Sequence, residues 1–586
     1  MGCMRLSTER DRDEARAIDV LHAALDLGVN FLDTADAYCL NDAETGHNER
    51  LIAHALQAWR GDRSRIVIAT KGGLTRPEGR WVPDGRAHHL RSSCEASLKA
   101  LDVERIDLYQ LHAPDPRVPF ATSVRAMAAL KDEGLVARIG LCNVNVSQIE
   151  DARRITEIAA VQVELSVSHD DSLLNGVVDH CLTHGIQVIA YRPLGGRRKV
   201  SQLRHETVLK EVAERCGATP AEIALAWLAT LSDHIVTIPG ATRIETVQSI
   251  VGARRVQLSA DDRERLDARY RSDRRGESSG SPKDGEVVLI MGLPGAGKST
   301  AARRFANDGY ARLNRDDAGG TLRRLLPDLQ RLIGEGRTRI VLDNTYMSRA
   351  SRARVVHAAQ ALGLPVRCVW LDTSVEDAQV NAVSRIIANH GRLLGPEEMK
   401  QAVKRDISAF APTVQFRHQR ELEPPDPAEG FSRIDIVPFE RTRDPAMTNK
   451  ALIVWCDGTL IGDVAGDLQI RRADVLRRYQ SEGWLLLGLA WRPQIADQTM
   501  TVEEADAGFA RLQDQIGVSI EVLYCPHAAG PPTCWCRKPL PGLGVVFIQR
   551  HRLDPSRCIY VGSGPQDPGF ARRLGFQYQD ATDFFA

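Results

Sequence analysis

Nine residues constrain this chain more than any other stretch: Gly292-Leu293-Pro294-Gly295-Ala296-Gly297-Lys298-Ser299-Thr300. An apolar run, 287–291, precedes them and a helical pattern, 301–307, follows. Strand, glycine-rich turn and helix is the context that a G-x-x-x-x-G-K-S/T phosphate loop requires. Gly292, Gly295 and Gly297 let successive backbone N–H groups converge on phosphate oxygens. The helix N-terminus adds its positive dipole end. Lys298 is expected to bridge the outer phosphates, Ser299 to hold Mg²⁺ and Thr300 to complete the ATP-binding set. A tight turn between a strand and a helix is the plainer alternative. The pattern predicts a P-loop NTPase-type parallel α/β domain.

A chain of 586 residues has room for roughly two to four domains. Lys plus Arg and Asp plus Glu both number 76. The whole-chain balance therefore points to neither a nucleic-acid partner nor a membrane surface, although a local basic groove is compatible with it. No apolar run reaches about 18 residues, and the start lacks a signal-peptide pattern. The 12 cysteines are mostly scattered singly, which suits a reducing cytosol. The expectation is a cytoplasmic protein with no membrane span. Oligomeric state is not legible.

Over residues 1–270, β-rich runs alternate with amphipathic stretches. Strands are expected at 1–6, 30–34, 66–70, 106–112, 137–142, 160–165, 186–191 and 235–239. Eight such units predict a (β/α)₈ TIM barrel, with chemistry at the C-terminal ends of the strands. Polar residues collect there. Asp33 follows one strand with Tyr38 five residues on, Lys71 ends the next, and His112 ends another. A tyrosine beside a lysine and an aspartate can have a lowered hydroxyl pKa and give its proton to a forming alkoxide. A histidine can orient the carbonyl. Ordinary polar groups at a barrel rim are the plainer alternative.

The stretches GVNFLDTADAY, ATKGG and LYQLHAPDP resemble motifs of the aldo-keto reductases. The resemblance implies a small carbonyl substrate and NADPH held without a Rossmann fold. It makes Tyr38 the acid, Asp33 and Lys71 its tuning partners, and His112 the group that positions the carbonyl. It places Asn143 and Gln162 on the carboxamide and Tyr191 against the nicotinamide ring. The segment IPGATR ending at Arg243 matches the family's adenosine-phosphate loop, so Arg243 is expected at a 2′-phosphate. Departures from the pattern are Cys142 in place of serine, Arg192 in place of serine, and Ser249-Ile250 in place of Glu-Asn. The N-terminal hairpin is absent and the loop after Leu194 is short. Cofactor grip, rather than proton transfer, is what these changes touch.

Residues 271–285, RSDRRGESSGSPKDG, are polar and read as a linker. Residues 286–445 then carry the phosphate loop and further parallel-sheet runs. A kinase needs a carboxylate near the γ-phosphate to take a proton from the attacking hydroxyl. Asp316, in NRDD, is the chosen base, and Asp343, in LDNT, supports the metal or the acceptor. Arg385 or Arg392 is expected to clamp phosphates as charge develops. The phosphate loop, NRDD, DNT and a later EGF resemble the kinase module of polynucleotide 5′-kinases. That family carries an acceptor-binding arginine where this chain has Gly319. Clusters at Arg303-Arg304, Arg323-Arg324 and 349–354 are candidates for a nucleic-acid channel or for ordinary charged faces.

Residues 446–586 open on an apolar run, 451–455, and Cys456-Asp457-Gly458-Thr459; RKP and YVGSGPQD follow later. The order resembles haloacid-dehalogenase phosphatases, which implies a HAD-like Rossmannoid α/β domain. There the first aspartate of DxDGT attacks phosphate and the second is acid/base. Here the first position is Trp455, Ala490 or a neighbour takes the usual serine/threonine site, and Ser563 stands at a usual metal carboxylate, although Asp567 remains. An indole is neither nucleophile nor Mg²⁺ ligand, so this module reads as a pseudo-phosphatase. Cys525, His527, Cys534 and Cys536 form a CxH…CxC set suited to tetrahedral structural Zn²⁺. Its removal is expected to loosen the C-terminal third alone.

The order kinase then phosphatase is that of nucleic-acid end-healing enzymes. The leading expectation is therefore a polynucleotide 5′-hydroxyl kinase acting on RNA or DNA 5′-OH ends, fused to an NADPH-dependent reductase. Gly319 favours the alternative, a small-molecule kinase fused to a carbonyl reductase. A cofactor-sensing scaffold is the non-enzymatic reading.

Overall fold

Seven short apolar runs line up as neighbouring parallel strands in chain order: β1 Phe31–Asp33, β2 Val67–Gly72, β3 Leu108–Leu111, β4 Ile139–Cys142, β5 Ala160–Glu164, β6 Gln187–Tyr191 and β7 Ile235–Thr237. The computed structural model describes residues 1–271, 283–315, 322–442, 444–461, 466–530 and 533–586. The eighth position of the ring is only a bridge. Gly2 pairs in parallel with both Asp33 and Gly240, joining the two edges. The strand expected at 1–6 is thus replaced, and Arg5–Thr8 is a helical turn. Gly2 is pressed against the far end of the barrel, where a Cβ would stand 2.9 Å from Ile238 O, and beyond it Arg5 pairs with Glu9 one turn on.

Amphipathic helices cover the ring. Glu14–Asp26 is capped by Asp13, whose carboxylate accepts from Arg16 N, and buries Val20, Leu21 and Ala24. Pro220–Thr230 starts in a Thr219/Glu222 capping box and buries Trp227, whose ring nitrogen donates to Asp267 at 2.8 Å. The strands' polar ends stay at one mouth while their apolar bodies fill the core.

Two further parallel sheets follow, each of five strands. The first comprises β8 Glu286–Met291, β9 Ala311–Leu313, β10 Arg339–Asp343, β11 Val366–Asp372 and β12 Arg433–Pro438, ordered β9-β10-β8-β11-β12. The second comprises β13 Ala451–Trp455, β14 Leu485–Trp491, β15 Glu521–Cys525, β16 Ile559–Val561 and β17 Gln577–Gln579, ordered β15-β14-β13-β16-β17. In both, the connections change direction beside the first strand. That is where open α/β sheets place ligands.

The chain divides into two compact units, residues 1–281 with 349–363, and residues 282–348 with 364–586. Within the second, one apolar core runs across the boundary read at 445/446. Val383, Ile386, Met399 and Phe410 pack in the same cluster as Leu487, Trp535, Leu543 and Phe547. Most of the linker, 272–282, lies outside the described residues. No helix among the described residues is long and apolar enough to cross a membrane.

Candidate active sites

At the barrel mouth, β1 and β2 bring Asp33 and Lys71 together. Lys71 is fully buried. Its Nζ donates to both carboxylate oxygens of Asp33 at 2.8 and 2.7 Å, to Thr34 O at 2.8 Å and to the Tyr38 hydroxyl at 3.1 Å. A buried charge is held only when paired and hydrogen-bonded, and this one is both. Burial works against the lysine's charge, but Asp33 and Tyr38 outweigh it and its pKa is raised. Burial likewise raises the Tyr38 hydroxyl, and Lys71 opposes that shift without reversing it. The lowering expected from the sequence is therefore corrected: Tyr38 is held protonated. Burial, with Lys71 second, drives His112 well below its ordinary value, so its ring is neutral. His112 Nδ1 is buried with no partner among the described residues.

Close approach at the mouth depends on Gly72. A Cβ there would stand 2.0 Å from the Tyr109 hydroxyl. The ribbon of Leu74–Thr75 and Val82–Pro83 overhangs the site and carries Trp81. Its ring meets those of Tyr38 and His112 edge-on, at 6.2 and 6.1 Å between centroids, and the Arg76 guanidinium stacks on it at 3.7 Å. Trp81 was missed in the sequence. A lone tryptophan in a loop gives no local signal of which rim it will reach.

The residues expected on the cofactor divide. Asn143 is exposed at the rim, with Nδ2 donating to His112 O at 3.1 Å and Oδ1 accepting from Tyr191 OH at 2.9 Å. Burial pushes the Tyr191 hydroxyl up to about 12. Gln162 faces inward instead: its amide nitrogen donates to Asp33 Oδ1 at 2.7 Å and to Gln110 Oε1 at 3.3 Å. Cys142 is buried, with its thiol toward Gln110 Oε1. Arg243 sits before helix Ile244–Gly252 and lines a separate small cavity with Arg5, Arg12 and Arg16.

In the second unit the phosphate loop opens onto a cavity of about 900 Å³. Gly295, Gly297, Lys298, Ser299, Thr300, Asp343 and Arg385 all line it. Gly292, the residue directly after β8, does not. Gly295 has φ +91°, and a Cβ there would stand 2.3 Å from Ala378 O. Side chains from the next helices brace the loop: Asn381 donates to Gly295 O at 3.0 Å and Gln415 to Pro294 O at 2.7 Å. Lys298 Nζ donates to Gly292 O and Leu293 O. The backbone cradle with Arg303, Arg304, Arg315 and Arg385 around it fits a nucleotide polyphosphate.

Asp343 stands level with Ile290 of β8 and is engaged at both oxygens by Arg312, at 3.0 and 2.9 Å. The proposed base Asp316 and the position of Gly319 lie outside the described residues. The segment leading to them is tied to β10, with Asn314 donating to Asp343 O and Arg315 N to Asn344 Oδ1. Arg392 is exposed and paired with Glu398; of the two candidates, Arg385 lines the cavity. Of the 349–354 cluster, Arg352 is fully buried and Arg354 pairs with Asp170 at 2.8 Å.

In the third sheet, Lys538 Nζ sits 3.2 Å from the centroid of the Trp455 ring and pairs with Asp567. Asp567 also accepts from Tyr560 OH and Gly564 N. Asp457 accepts from Trp491 N at 2.8 Å and Arg492 Nη1 at 2.6 Å. Asp457, Lys538 and Asp567 thus each have protein partners. The ligand atoms of Cys525, His527, Cys534 and Cys536 all lie within 4.8 Å of one another. Three thiols and an imidazole converging this closely fit a tetrahedral Zn²⁺ site.

A family model described as the aldo/keto reductase family matches residues 1–271, and one described as an AAA domain matches residues 287–392. A probable aldo-keto reductase of Glycine max is 35% identical, over 44% of this chain and 82% of its own length. A solved thermostable aldo-keto reductase in complex with epalrestat is 29% identical, covering 46% of this chain and 93% of that one, with a TM-score of 0.40. An aldo/keto reductase from Klebsiella pneumoniae, in complex with NADP and acetate, is 25% identical over 46% and 90%, also with a TM-score of 0.40. The relative from Glycine max is matched over most of its length, and the family model covers the segment that holds the Asp33–Lys71–Tyr38 cluster. Through its first 271 residues the chain belongs to the aldo/keto reductase family.

Proposed function

We propose that the barrel reduces a small carbonyl compound, and that the P-loop module phosphorylates a nucleic-acid 5′-hydroxyl. The observation that carries the first half is the contact of one buried lysine with both Asp33 and Tyr38. NADPH, when bound, supplies the hydride that goes to the carbonyl carbon. Tyr38, held protonated, gives its proton to the carbonyl oxygen, and the product is an alcohol. Lys71 stabilises the phenolate left behind, and Asp33 keeps Lys71 charged. Neutral His112 orients the carbonyl, and Trp81 covers it. Asn143 and Tyr191 at the rim suit the nicotinamide end. Arg243, among other arginines, suits a phosphate.

In the second module ATP, when bound, would supply the γ-phosphoryl group, and Ser299 would hold its Mg²⁺. Lys298 and Arg385 would hold the phosphates, Asp316 would take the acceptor's proton, and Asp343 would support the site through its place beside the loop. The arginine-rich cavity supports a polyanionic acceptor. Gly319 supports a small-molecule acceptor as the second reading. The third module would hydrolyse nothing, since Trp455 stands at the nucleophile's position. Its Cys₃His set would hold structural Zn²⁺.

NADPH oxidation with a panel of aldehydes tests the reductase; a rate no higher than that of Tyr38→Phe removes it. Labelled γ-phosphate offered to a 5′-OH oligonucleotide and to a panel of sugars separates the two kinase readings.

A further inference from the structure

Trp535 stands between two cysteines of the Cys₃His set and is fully buried. A buried indole N–H needs a partner. It finds one in Phe410 O at 2.9 Å, and the two rings meet edge-on, 6.1 Å between centroids. Phe410 is a wall of the phosphate-loop cavity, as are Val414 and His418 just beyond it. The helix carrying those two, Pro412–Glu421, also carries Gln415, which holds Pro294 of the loop. The Cys₃His loop is anchored on its own sheet by Trp491, whose ring nitrogen donates to His527 O at 2.8 Å.

We propose that the Cys₃His loop is the rear clamp of the nucleotide cavity. Trp535 is its positioning residue, and metal occupancy in the third sheet sets nucleotide affinity in the second. The proposal rests on the zinc and ATP readings above. Structural metal sites supply folding free energy to the loop that carries them. Here that loop holds Phe410 in place, and the shared core extends through Val383, Ile386 and Met399. Removal of metal therefore reaches beyond the C-terminal third, to the cavity wall. This also assigns a use to a module whose hydrolytic groups are spoken for.

The test uses the full-length chain, with zinc counted by a colorimetric chelator and nucleotide affinity measured with a fluorescent ATP analogue. NADPH oxidation reports the integrity of the barrel. Trp535→Leu is expected to keep its zinc, keep NADPH oxidation and weaken nucleotide binding tenfold or more. Trp535→Phe keeps the ring and loses the hydrogen bond, and should lie between. Chelation of the wild type should weaken nucleotide binding to a similar degree, with recovery on zinc addition. Unchanged affinity in a zinc-free sample, or in both variants, overturns the proposal. Wild type that takes up no zinc overturns the zinc reading and the metal half of the proposal, while the two variants still judge the clamp. Wild type that binds no nucleotide overturns the kinase reading and the clamp with it.

Discussion

The ammonium of Lys71 lies 3.1 Å from the hydroxyl of Tyr38 while both of its neighbours from Asp33 are within 2.8 Å. One cation thus serves a structural pair and a proton donor. Tyr38→Phe removes the donor and leaves the packing. It should lower carbonyl reduction by about 10²–10⁴-fold, the span of general acid catalysis, while labelled phosphate transfer is unchanged. Equal loss of both activities would mean the fold had failed instead.

Lys71→Met breaks the same pair differently. Asp33 would be left buried without its counter-charge, which costs about 3–5 kcal/mol. Thermal or urea unfolding of the barrel should show the loss, in addition to the loss of reduction. A variant as stable as the wild type would mean that the Lys71–Asp33 pair contributes nothing to stability.

The pH profile follows from two shifts of opposite sign. His112 is moved below its ordinary 6.5 and Tyr38 above its ordinary 10, so both stay neutral between those values. Reduction measured as kcat/KM should be flat across that window as far as these groups decide it. Alcohol oxidation needs the phenolate and should rise toward high pH. A reduction profile with a limb near pH 6.5 would show that His112 titrates normally.

Lys298→Ala should abolish phosphoryl transfer, by on the order of 10²-fold or more if its role is charge stabilisation, and spare reduction. Gly72→Ala should do the reverse by sterics. Its Cβ meets the Tyr109 hydroxyl, and overpacking of this kind costs about 1–3 kcal/mol, read as a lower melting temperature of the barrel.

Trp455→Asp restores the missing carboxylate of the phosphatase pattern. Hydrolysis of p-nitrophenyl phosphate should nevertheless stay at background. Asp457 remains tied to Arg492 and Trp491 N, Asp567 to Lys538 and Tyr560, and Ser563 offers no metal carboxylate. Robust magnesium-dependent turnover would contradict this.

The sequence by itself determined the features that depend on neighbours in the chain. The phosphate loop, the strand-end positions of Asp33, Lys71 and His112, and the CxH…CxC spacing are all local patterns, and local patterns code turns and strand ends. The expected strand at 1–6 failed for the complementary reason. A single close approach, Gly2 against Ile238 O, closes the ring and leaves the chain free to turn at once into a helix. Only the tertiary structure decided the rest. Gln162 turns to Asp33 across 129 positions, Trp535 reaches Phe410 across 125, and Lys538 meets Trp455 from a distant loop. Tyr38 ended protonated because burial outweighs its lysine neighbour, and burial is set by how distant segments pack. No spacing in the chain encodes how much water is left around a side chain once they have.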